Sequence, residues 1–218
     1  AHNSDWPANN WVSAREHTDG AVFRFYPWDS GCSFGYSGSV TNNTFALIYR
    51  HLSSSAPVSL FYAYLRQHPE FRLLFADRIQ KHFFHGGALT DMNVSNRYTE
   101  LRTPMEPIVT FVQSNYNNAK FNNNVQNDWI PRRRAIIFEH FVNELLWPGV
   151  SAPLFSQRGG MVSNNFALVL SHTNAAGSVY YTTDGSDPRA FGGGIAGTLY
   201  TAPIIVTGSM VVAARVYD

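Results

Sequence analysis

Hydrophobic spacing divides the chain into stretches of different period. An alternating run, Ala21-Val-Phe-Arg-Phe-Tyr26, predicts a strand that ends at Pro27 and delivers Trp28 and Asp29 to a bend containing Gly31 and Gly35. Residues 1–20 before it are polar and turn-rich. From Thr44 the period becomes helical. Phe45, Leu47, Ile48 and Leu52 predict a short helix over about 44–52, and a second follows over about 58–67 beyond the break at Ser53–Pro57. The third is the clearest. Pro69 and Glu70 suit a first turn, and Phe71, Leu74, Phe75, Ile79, His82 and Phe83 recur at steps of three and four until Gly86 and Gly87 stop the pattern. A fourth helix is predicted over about Arg97–Asn115, with Pro104 and Pro107 in its first half. The Asn-rich stretch Asn115–Asn127 reads as a loop. Trp129-Ile-Pro131 opens a fifth helix, with Ile136, Ile137, Phe141, Leu145 and Leu146 on one side and Pro148-Gly149 as its end.

Beyond a linker-like Val150–Leu154 the pattern turns to β. Phe166–Leu170, Val179–Thr182, Pro203–Val206 and Val211–Val216 are short strand-like runs separated by Gly, Ser and Asp clusters. That spacing predicts a small immunoglobulin-like β-sandwich. The expected fold is therefore α+β: a mostly helical part with a β ribbon over residues 1–150, then a β-sandwich over residues 151–218. The sandwich is small for independent stability.

Composition narrows the classes. Hydrophobic residues make up 44% and charged residues 14%, which excludes a disordered chain. A net charge of +1 gives no bulk attraction to nucleic acid or acidic membrane. The basic run Arg132–Arg134 reads as a solvated helix face before a phosphate clamp. The single cysteine, Cys32, excludes an internal disulfide and a thiolate metal cluster. No apolar run approaches the roughly 20 residues of a membrane helix. Few cysteines and many Asn, Ser, Thr and Tyr fit a bacterial cell-surface protein. Both ends look cut, which predicts a segment of a longer polypeptide.

Four places could carry chemistry. Asp29, a carboxylate at a strand end beside Trp28 and before Gly31, is placed to meet a cation in a cleft. His82 and His85 have a spacing that could ligate a metal, but no third ligand accompanies them, and helix-end histidines also serve the dipole or packing. Asp184-Gly-Ser-Asp-Pro188 fits a calcium loop, and fits better a turn joining two strands. Trp6, Trp11 and Trp28 could stack on sugars or form the floor and core of a cleft.

Several stretches together resemble the C-terminal part of bacterial CotH-like proteins, the spore-coat kinase family. They are Asp5-Trp-Pro-Ala-Asn-Asn-Trp11, Phe25-Tyr-Pro-Trp-Asp-Ser-Gly31, Pro69-Glu-Phe-Arg72, Phe75-Ala-Asp-Arg78, His82-Phe-Phe-His-Gly-Gly-Ala-Leu-Thr90 and Ala152-Pro-Leu-Phe-Ser-Gln-Arg-Gly-Gly160. Val179-Tyr-Tyr-Thr-Thr-Asp-Gly-Ser-Asp-Pro188 and Val211-Val-Ala-Ala-Arg215 resemble the chitobiase/β-hexosaminidase C-terminal module. The resemblance implies a kinase-like C-lobe for residues 1–150. It implies Asp5 as catalytic aspartate, Asn10 and Asp29 as magnesium ligands, and Mg2+ and ATP as the cofactors of an active parent. Phosphoryl transfer depends on such positioning, and hard oxygen ligands suit magnesium. The chain departs from the family at Pro7, where a histidine is usual, and in the Asn-rich loop. Its two lysines, Lys81 and Lys120, follow no suitable strand, so the nucleotide-binding N-lobe would lie upstream of Ala1.

Two functions follow. In one, this segment of an extracellular or cell-surface protein is a structural and interaction scaffold without independent catalysis, its partners other surface proteins or polysaccharide. In the other, it is the C-lobe of an active Mg-ATP-dependent secreted kinase. Neither reading implies a nucleic-acid partner or a membrane span, and no cofactor is expected for the chain alone.

Overall fold

The computed structural model describes residues 6–35, 38–52, 56–116 and 124–218. The chain divides into two compact units, Ala1–Leu146 and Trp147–Asp218. Among the described residues the fold is mixed: five α-helices and small antiparallel sheets, with the C-terminal unit built of strands.

The first unit begins with a two-stranded ribbon, β1 (Trp11–Ala14) and β2 (Arg24–Pro27), antiparallel with Trp11 opposite Pro27 and Ala14 opposite Arg24. The predicted strand starts three residues later than its alternation suggested. Its partner lies in the stretch expected to be turns. Trp11–Ala14 has no alternation of its own, and only pairing with β2 makes it a strand.

The helices follow: α1 (Thr44–Arg50), α2 (Pro57–Leu65), α3 (Pro69–Phe83), α4 (Asp91–Tyr116) and α5 (Ile130–Asn143). Local chemistry starts three of them. Asn43 Oδ1 accepts from Phe45 N at 2.9 Å to cap α1, and Pro57 opens α2. In α3 Pro69 occupies the first turn, and His68 Nδ1 accepts from Glu70 N at 3.2 Å. Helix α4 begins six residues before the predicted Arg97, at Asp91. It continues through Pro104 and Pro107, both exposed. The predicted Asn115–Asn127 loop is contradicted at both described ends. Helix α4 reaches Tyr116, and Val125–Trp129 forms a π-helical turn that leads into α5.

Phe141 of α5 is the hub of the helical core. Only 6% exposed, its ring meets Phe45 of α1 at 6.1 Å, Phe75 and Phe83 of α3 at 5.9 and 5.6 Å, and Phe138 one turn back at 6.0 Å. These edge-on ring contacts add to the area the rings bury. Tyr62 of α2 continues the cluster, stacked on Phe45 at 5.5 Å and edge-on to Phe71 at 6.3 Å. Phe45, Phe71, Phe75, Phe83 and Phe141, which recur at three- and four-residue steps in the sequence, thus lie in one cluster, whereas Leu74 of the α3 pattern is exposed and Leu145, placed on the same side of α5 by its spacing, lies past the helix end with φ 58° and is exposed.

The basic run corrects the expectation of a solvated face. Arg132 is exposed and pairs with Asp128 in the π-helical turn that leads into α5. Arg133 is only 6% exposed. Its guanidinium donates to the carbonyls of Val40 and Asn42 and lies 5.2 Å over the Trp129 ring. Arg134 donates to the carbonyl of Phe83 at 2.9 and 3.1 Å. Two of these three cations therefore fasten loop and helix-end carbonyls to α5.

The second unit contains β3 (Leu154–Phe155), β4 (Phe166–Leu168), β5 (Leu170–Ser171), β6 (Ser178–Thr182), β7 (Thr198–Leu199), β8 (Ile204–Val206) and β9 (Ala213–Tyr217). β3 pairs with β5, β4 with β8, and β6 lies between β7 and β9, all antiparallel. Period-two alternation decides the faces. Val179 and Tyr181 of β6, opposite Val216 and Ala214 of β9, turn toward a core of Leu168, Leu170, Val179 and Ile204. Tyr180 turns the other way and meets Tyr217 edge-on at 5.2 Å.

Candidate functional site

The ribbon brings two of the three residues that the sequence singled out to the same end. Trp28 N donates to Asn10 O at 2.9 Å, continuing the β1–β2 ladder by one step. Asn10 and Asp29 therefore flank the last cross-strand bond. Both hold left-handed backbones, with φ of 62° and 48°. Such conformations are uncommon outside glycine, and Asn and Asp are the residues that tolerate them best. Asp29 precedes a short 3-10 turn, Ser30–Cys32, and does not cap it with its side chain. Its carboxylate is exposed and takes no hydrogen bond or ion pair from the described residues. Asp5, the expected catalytic aspartate, lies outside the described residues.

The aromatic residues around this end are partly wet. Trp11 donates its indole N–H to Pro7 O at 2.8 Å and tilts against Phe25 at 5.6 Å, while Trp28 is about half exposed. Gly35, in the bend after Asp29, has φ +87°, and a Cβ there would stand 3.0 Å from the Trp129 ring. Glycine is needed at this position both for its backbone and for its closeness to that ring.

The other candidates separate cleanly. Asp184 Oδ1 accepts from Ser186 N at 2.9 Å and Ser186 Oγ at 2.6 Å, and these bonds hold its carboxyl below the usual range. Asp187 accepts from Arg215 and from Arg189 N. Both carboxylates of the Asp184–Pro188 run are thus committed to turn geometry, as the turn reading has it. His82 lies in the last turn of α3, and His85 follows with φ 52°. Among the described residues no three His, Cys, Asp or Glu side chains converge to hold a metal ion.

Sequence reasoning missed one polar cluster in the helical unit. Glu144, just past α5, accepts from the hydroxyl of Tyr49 and, at 3.3 Å, from that of Tyr62. Arg66 completes the group, 3.2 Å from Glu144 Oε2 and donating to Tyr49 Oη. Burial, followed by the hydrogen bond to Glu144, pushes the Tyr49 phenol up to about 12, and burial followed by the Glu144 charge pushes the Tyr62 phenol upward as well. Both hydroxyls, the guanidinium and the carboxylate each find a partner in the cluster, which makes it a tie between α1, α2 and the end of α5. No spacing rule links residues 49, 62, 66 and 144.

Residues 157–218 match the family model of the chitobiase/beta-hexosaminidase C-terminal domain. No curated protein matches the chain, and no solved structure does. Among the described residues no helix is long and apolar enough to cross a membrane.

Proposed function

We propose that this chain is the C-terminal portion of a secreted or cell-surface CotH-like protein, and that it acts as an interaction scaffold. On this reading a kinase-like helical body carries an immunoglobulin-like sandwich of the chitobiase C-terminal type. The observation that carries the scaffold reading is the apolar surface left uncovered on the helical unit. Leu101, Met105, Ile108 and Phe111 form an exposed stripe along α4 at steps of three and four. Val12, Phe25 and Tyr26 are exposed on the ribbon as well. An exposed apolar helix stripe of this kind supports contact with other macromolecules. The partner is another surface protein or a polysaccharide. Light scattering and retention on cell-wall glycans test the reading. Concentration-dependent assembly or retention supports it, and a monodisperse monomer without retention overturns it.

A second reading rests on the ribbon's end. Asp29, with no protein partner among the described residues, and Asn10 across the last ladder bond suit magnesium as oxygen ligands, with Asp5 as the base that orients a substrate hydroxyl. Magnesium would neutralise the phosphates of ATP held by an N-lobe upstream of Ala1. Calorimetry of the longer polypeptide is the test. Magnesium-dependent ATP heats that vanish in Asp29→Ala support this reading, and equal heats for both proteins sink it.

A further inference from the structure

The β unit has a core that stays open on one side. A cavity of about 700 Å³ lies between the 157–164 loop and the segment after β8, a size within the range of small-molecule sites. Its floor is Phe155, Phe166, Leu168, Val206, Met210 and Val212. Of these only Leu168 is fully buried; the others pack against the core and keep part of their apolar surface uncovered. The loop above carries Met161, whose side chain is completely exposed, just after Gly159 and Gly160 with φ of +140° and +87°. Met161 too belongs to the cavity wall.

Among the described residues one charge lines this cavity, the guanidinium of Arg158. It lies 5.5 Å over the Phe155 ring, and no carboxylate among the described residues pairs with it. The residue is exposed overall, and the desolvation it does meet pulls its pKa down. A guanidinium held over an aromatic ring without a protein acid still has N–H groups to give, and a carboxylate matches its planar edge with two parallel bonds. The rest of the wall offers apolar surface and neutral polar groups, with no acid to repel an anion.

We propose that this hollow binds a monocarboxylate amphiphile, its apolar body against Phe166, Met210 and Val212 and its carboxylate on Arg158. Apolar burial supplies affinity, and the single cation sets the orientation and the sign of the charge accepted. The site belongs to the β unit alone and does not depend on the role proposed for the helical unit.

The test uses the whole chain with [13C]methyl-labelled methionine, titrated with octanoate, 1-octanol and octylamine. Two of the four methionines, Met161 and Met210, line the cavity, while Met92 and Met105 lie on α4 and serve as internal controls. Octanoate is expected to shift Met161 and Met210 saturably and leave Met92 and Met105 in place. It should bind about tenfold more tightly than octanol, the effect of one charge-assisted contact, and octylamine more weakly still. Arg158→Gln should reduce octanoate to the affinity of octanol and leave octanol unchanged. Absence of a saturable shift, equal shifts at all four methionines, or octanol or octylamine binding as tightly as octanoate overturns the proposal. So does octanoate binding that Arg158→Gln leaves unaltered. The comparison of the three ligands on the unsubstituted chain decides the matter even if Arg158→Gln misfolds.

Discussion

Arg215 of β9 grips Asp187 with two parallel bonds, Nε to Oδ1 at 2.6 Å and a terminal nitrogen to Oδ2 at 2.7 Å. The pair fastens the turn after β6 to the last strand of the β unit, 28 residues further along the chain. The turn is tied a second time by Thr182 Oγ1, which donates to Ser186 O at 2.6 Å.

Loss of this grip should loosen the β unit in a pH-dependent way. Hydrogen bonding from Arg215 holds the Asp187 carboxyl below its ordinary 3.8. A depressed folded pKa gives stability that is present above the unfolded value and is lost as pH falls through the folded one. The carboxylate is half exposed, so Arg215→Gln should cost only about 1 kcal/mol near neutral pH. The difference between the two proteins should close below the ordinary carboxylate range. Urea unfolding followed at the Met210 methyl, at neutral and acid pH, checks this. A gap that persists in acid would contradict it.

The Glu144 cluster predicts the opposite limb. Tyr49 titrates near 10.0 when unfolded and about 12 when folded. A raised folded pKa gives stability that is intact below the unfolded value and drains away as pH rises through the folded one. Absorbance titration of the phenolates should show a late component near the upper value, missing in Tyr49→Phe. Glu144→Ala should bring the Tyr62 titration down and cost about 2 kcal/mol, since it removes the counter-charge of Arg66 and the acceptor of two hydroxyls.

Truncating the hub of the helical core should be severe. Phe141→Ala removes a ring that touches α1 and α3 at once and leaves a cavity among four other aromatics. The expected loss is about 3–5 kcal/mol in chemical denaturation of the helical unit. Leu145→Ala, two-thirds exposed and four residues on, should change it by less than about 0.5 kcal/mol.

Neighbouring arginines should behave unequally. Arg133→Ala leaves the Val40 and Asn42 carbonyls without their donor and uncovers Trp129, for a loss of about 2 kcal/mol. Arg132→Ala removes only an exposed pair one helical turn long and should fall within about 0.5 kcal/mol of the parent. Equal losses in thermal unfolding would refute the distinction.

The α3 pattern was legible because it is local. Phe71, Phe75, Ile79 and Phe83 return to one side of a helix whatever else the chain does, and Pro69 opens that helix on its own chemistry. The Asp184–Pro188 turn was legible for the same reason, although nothing nearby announces that Arg215 captures it. At the candidate site the sequence marked Asp29 at a strand end, whereas its nearness to Asn10 required β1 to pair with β2.

What the sequence determined by itself was periodicity: where helices run, where alternation begins, and which residue types suit a bend. Tertiary structure alone decided partnership. It made a strand of Trp11–Ala14, gave Arg132, Arg133 and Arg134 three different surroundings, and gathered residues 49, 62, 66 and 144 around one carboxylate. The physical reason is range. Backbone preference and side-chain period act over a few residues, but desolvation and hydrogen bonding depend on which distant atoms the fold brings alongside.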